Sequence, residues 1–158
     1  MSSNPNRTLL GRIEVTATDR EASSLCLSVD ACSMRASASG SAYFQKQDVN
    51  DFCESLLDFP LNPTKNYNLK GGLYDPQGIE LVKLCVGISI ELISPTGKIA
   101  MIVTAAHEAA IYRGKTFFNS GECVFFLDHE NLALFSNELK KLNYGEIDAL
   151  SFDSFSLI

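Results

Sequence analysis

Apolar residues recur at every second position through most of this chain, and only two stretches depart from that rhythm for a helical one. In "LGRIEVTATD", Leu9, Ile13, Val15 and Ala17 share one side, while Arg12, Glu14, Thr16 and Thr18 share the other. That is the pattern of a strand with one buried and one wet face. "SLCLSVDACSMRASASG" continues it, with Leu25, Leu27 and Val29 inward and Asp19-Arg20-Glu21 as the turn between. The Ser/Ala run from Ser33 to Ser41 still alternates and is expected to prolong this strand as a long, bent ribbon. "IELVKLCVG" and "ISIELIS" are expected as two strands joined near Gly87. "IAMIVTAAHEAA" is apolar on both sides, which places it centrally or at an oligomer contact. "IYRGKTFFNSGE" is expected as a loop or short hairpin, and "ECVFFLD" as a further strand apolar on both faces.

The first helical stretch is "DVNDFCESLLDF". Val49, Phe52, Cys53, Leu56 and Phe59 fall on one side, and Asp48, Asp51, Glu54, Ser55 and Asp58 on the other. Asp48 is the expected N-cap, with Pro60 and Pro63 ending the helix. The second is "HENLALFSNELKKLN", with Asp128 as cap, a stripe of Leu132, Phe135, Leu139 and Leu142, and Asn143 and Gly145 as terminators. The expected fold is α+β: a mostly antiparallel β-sheet with two main helices on one face, in the order β-β-α-β-β-β-β-α. Residues 1–158 form one domain. The tail, 143–158, alternates apolar and acidic residues and ends in Leu157-Ile158, as an edge strand or an oligomer contact would.

A chain of 158 residues, 46% apolar and 20% charged, buries enough surface to fold without a metal or disulfide staple. Its formal charge is −6. The middle third is mildly positive and both ends are negative. No basic cluster exceeds Lys140-Lys141, which argues against nucleic acid and anionic membranes as partners. The five cysteines include no CxxC pair, and most sit in apolar stretches. Cysteine used as a small hydrophobe implies a reducing compartment. With no basic start before an apolar run, and no run long enough to span a bilayer, the expected location is the cytoplasm.

The search for chemistry yields little. His107 and His129 each precede a glutamate, but Ile111 and Ala133 occupy the positions where a HExxH zinc site needs its second histidine. His107 is expected to end a strand and His129 to open a helix. Cys53, Cys85 and Cys123 lie within apolar faces, and Cys26 is expected partly exposed. No histidine accompanies any of them as a base. "KGGLYDPQG" matches no phosphate-binding glycine loop. No catalytic residue, metal ligand or cofactor is assigned.

Asp48, Asp51, Glu54 and Asp58 then stand out, because no basic residue follows at the spacing that would pair them along the helix. Like charges one turn apart repel by a few tenths of a kcal/mol. These four carboxylates are therefore the candidate partner-binding residues, offered to a basic protein surface.

The order of elements, with "AYF" leading to "DFCESLLDFP" and "CVFFLDHENLALFSNELKKL" closing the domain, resembles the WapI-like immunity proteins of bacterial polymorphic-toxin systems. The resemblance covers residues 10–142. It implies a non-enzymatic protein that neutralises a cognate toxin by occluding its active site, with the acidic helix face meeting a basic toxin domain. The alternative is a homo-oligomeric scaffold or adaptor, a homodimer built on "IAMIVTAA" and the tail. A third reading, a ligand-binding or enzymatic cleft, would draw on His107, Glu108, Tyr112 and Arg113, though strand alternation splits them between faces.

Overall fold

The computed structural model describes residues 9–34, 36–58, 60–94 and 96–155. Phe59, the side chain of Leu9 and Leu157-Ile158 lie outside the described residues. Ten elements follow one another: β1 (Leu9–Arg20), β2 (Ser24–Ser33), β3 (Ala36–Gln45), α1 (Lys46–Ser55), β4 (Tyr67–Tyr74), β5 (Leu81–Leu92), β6 (Ile99–Tyr112), β7 (Lys115–Leu127), α2 (His129–Tyr144) and β8 (Ala149–Phe155). The class is α+β, as expected. The order gains a third strand before α1, and part of the tail forms a strand after α2, one of the two roles expected for it. The strands form two antiparallel sheets, β3-β2-β1-β8 and β4-β5-β6-β7, rather than one.

The Ser/Ala run is where the reading of a bent ribbon fails. The chain reverses between Ser33 and Ala36, which pair with each other, and β3 runs back along β2. Its first three inward residues, Ala38, Gly40 and Ala42, are small, and β3 lies across all four strands of the second sheet. At Gly40 a methyl group would overlap the carbonyl oxygens of Cys85 and Ala106. A side chain there would force the sheets apart. β5 is likewise one strand, not two. Gly87 continues it on the outer face, where a Cβ would lie 3.2 Å from the end of the Leu84 side chain.

Between the sheets lies one apolar core. Ile13, Val15, Leu25, Leu27 and Val29 come from the first sheet, and Ile88, Ile90, Ile99, Met101 and Val103 from the second. β6 does lie centrally, between β5 and β7. Val124 and Phe126 face outward on β7, so that strand is core-facing on one side only.

α2 forms as its sequence reads. The Asp128 carboxylate accepts from the Asn131 N–H at 2.8 Å, and Gly145 ends the helix at φ 82°. Leu132, Phe135, Leu139 and Leu142 are fully buried. Arg20 donates to the Leu142 and Ile147 carbonyls at 2.7 and 2.9 Å, joining the end of β1 to the end of α2. β8 then pairs antiparallel with β1 as an edge strand, Arg12 bonding Asp153 across the pair at 2.6 Å. No helix among the described residues is long and apolar enough to cross a membrane.

Candidate partner-binding surface

α1 begins two residues before the expected cap. Gln45 holds the N-cap position and makes no side-chain capping bond. Tertiary contacts anchor this end instead. The Lys46 N–H donates to the Ser23 carbonyl at 2.9 Å, and Asn143 Nδ2 donates to the Lys46 carbonyl at 3.0 Å. Asp48 is thus a first-turn residue, where the helix dipole favours a carboxylate. The helix ends at Ser55, before either proline. The Leu57 and Asp58 N–H groups bond back three residues, to Glu54 and Ser55, which tightens and ends the last turn. Val49, Phe52, Cys53 and Leu56 are buried as expected. Burying such a Val, Phe or Leu contributes about 1.5–3 kcal/mol each.

The four candidate carboxylates do not form one face. Glu54 lies on the flank that packs on α2, where Lys140 pairs with it. That bond raises the Lys140 pKa. The same flank carries two further bonds from α2: Ser136 Oγ to the Cys53 carbonyl at 2.7 Å, and Tyr144 Oη to Asn50 Oδ1 at 2.7 Å. Asp58 lies beyond the helix. Lys65 and the phenol of buried Tyr67 both donate to it at 3.1 Å, holding its carboxyl below the usual carboxylate range. Two of the four carboxylates, read as uncompensated, therefore have cationic partners outside the helix, Lys65 seven residues on and Lys140 86 residues on.

Asp48 and Asp51 differ. Asp51 accepts only from Gln47 Nε2, at 2.8 Å, and among the described residues no basic group pairs with either. With Asn66, Asn68 and Lys70 they line an open cleft of about 380 Å³ between α1 and β4. A second depression, of about 650 Å³, adjoins it through Asp48 and Lys70 and adds Glu21, Tyr43 and Tyr74. Tyr43 donates to Asp19 at 2.7 Å, which raises its pKa to about 12 and keeps the phenol neutral. Glu21, Tyr43 and Tyr74 went unnoticed in the sequence, because they come from three separate strand ends and no local pattern joins them.

The remaining candidates are dispersed. His107 lies within β6 rather than at its end, its Nδ1 3.1 Å from the Ser39 carbonyl and its Nε2 3.5 Å from Asn119. Arg113 sits at the β6–β7 turn, over the Tyr112 ring. His107, Glu108, Tyr112 and Arg113 are not brought to one point. Cys26 is buried, not partly exposed: its register neighbours Asp19 and Tyr43 bond to each other across it. Burial pushes the Cys53 thiol up to about 11 and raises Cys123 as well.

Comparison with family models, with curated proteins and with solved structures finds no match for the chain.

Proposed function

We propose that the protein is a non-enzymatic binding domain of the immunity type, which neutralises a cognate toxin in the cytoplasm by covering a basic surface of it. The observation that carries this reading is the placement of Asp48 and Asp51. They line two adjoining open depressions on the flank of α1 away from α2, with no cation paired to either among the described residues. Unpaired carboxylates beside a concave, tyrosine-bearing surface suit lysine and arginine side chains, by charge and by cation–π contact. The net charge of −6 favours encounter with a basic protein over nucleic acid or an anionic membrane. Glu54 and Asp58 hold the helix and its following loop in place and leave the binding role to the other two.

The test compares two baits. The parent protein and an Asp48→Asn/Asp51→Asn variant are immobilised and exposed to lysate of the native host at low salt. The expected result is one protein with a basic domain that is retained by the parent, released by moderate salt, and lost from the variant. An identical set of proteins on both baits contradicts the proposal.

A further inference from the structure

The outer face of the second sheet carries a pattern that meets the acidic clefts only at its β4 edge, through Asn68 and Lys70. On β6, Ile99, Met101, Val103 and Ala105 enter the core, so Ala100, Ile102, Thr104 and Ala106 point the other way. Strand register arranges this face in straight rows. One row runs Lys70, Gly87, Thr104, Glu122 from β4 to β7. The next runs Asn68, Ser89, Ile102, Val124, and the third runs Glu91, Ala100, Phe126. Val124 and Phe126 remain 40% and 42% exposed, and the two central strands present small side chains around Ile102.

The charges at the two edges are opposite. Lys70 and Glu122 end the same row, and among the described residues neither forms an ion pair. A two-fold axis parallel to the strands, midway between β5 and β6, lays β4 of one copy over β7 of the other. Each Lys70 then faces Glu122 of the second copy, twice over, as an isologous contact requires. The same operation sets Phe126 over a cleft of about 240 Å³ beside Asn66 and Glu91 of the second copy. It also carries Lys98, which lies 5.1 Å from the centre of the Phe126 ring, towards that Glu91. Sheets packed face to face stand about 10 Å apart, a gap that Ile102, Val124 and Phe126 fill and that lysine and glutamate side chains bridge at the edges.

We propose that this face joins two copies of the chain in an isologous dimer, with Lys70 of each against Glu122 of the other. The dimer face shares Lys70 with the clefts beside α1, but Glu122 and Ile102 take no part in them, so Glu122→Lys and Ile102→Asp test the dimer apart from the toxin-binding reading. Sedimentation equilibrium tests it on the full chain. The parent is expected to dimerise. Glu122→Lys alone and Lys70→Glu alone each weaken the dimer about tenfold, since each removes two symmetric pairs and opposes like charges. The double reversal, Lys70→Glu with Glu122→Lys, restores the parent constant. Ile102→Asp yields monomer, with circular dichroism checking that the fold is kept. Both charged residues are exposed, so their variants remain informative if Ile102→Asp fails to fold. A parent that stays monomeric, or a dimer indifferent to both single reversals, overturns the proposal.

Discussion

Asp48 and Asp51 lie within ten residues of Glu54 and Asp58, yet the two pairs occupy different worlds. Glu54 and Asp58 meet Lys140, Lys65 and Tyr67, groups that fasten the end of α1 to α2 and to the loop before β4. Asp48 and Asp51 look onto open clefts. All four are carboxylates, three or four residues apart along the chain. What differs is which tertiary neighbour each flank receives. On the proposed reading, the row of carboxylates serves as a binding surface only where the fold withholds a cation.

The comparison breaks most severely where its support is removed. Phe135 is fully buried on α2 and meets Phe152 edge-on, with ring centres 6.1 Å apart. Phe135→Ala is expected to cost about 3–5 kcal/mol in urea unfolding, loosening the platform that holds the Glu54 side. Ser136→Ala removes the buried bond to the Cys53 carbonyl. About 1–2 kcal/mol should be lost, because that carbonyl is left without its partner. An unchanged urea midpoint would mean that α1 is not fastened there.

A smaller effect is expected at Asp58, and pH reads it. Its carboxyl is held below the usual range by Lys65 first and Tyr67 second. A group whose pKa is lowered on folding stabilises the native state above its unfolded pKa and loses that contribution as pH falls through the folded value. Asp58→Asn should therefore lower Tm slightly at neutral pH and flatten the acid limb of the stability profile. A profile that superimposes on the parent's would show that the Lys65 and Tyr67 contacts do not matter in solution. Smallest of all is the Asp48→Asn/Asp51→Asn variant. Its stability should stay within about 0.5 kcal/mol of the parent, as exposed positions outside a packed network generally do.

The sequence made α2 readable from end to end, because each signal was local: Asp128 as cap, the stripe from Leu132 to Leu142, and Gly145 in a left-handed conformation. α1 was readable on its buried side, but its start was not. Ser23 and Asn143 hold that end, one from the β1–β2 turn and the other from α2. The alternating strands were readable in type. The split into two sheets was not, since it depends on β3 crossing the second sheet at Gly40, a contact between backbones rather than a pattern of side chains. For the same reason the four carboxylates read as one face. Lys140 lies 86 residues from Glu54, and nothing near either residue announces the pair.

The most direct test of the division adds a third bait to the first two. Partner retention and its salt dependence are measured for the parent, for Asp48→Asn/Asp51→Asn, and for Glu54→Gln/Asp58→Asn. The account predicts that the first variant loses about tenfold or more in affinity along with the salt dependence, while the second binds as the parent does despite its lower Tm. Equal loss in both variants, or loss only in the second, would contradict it.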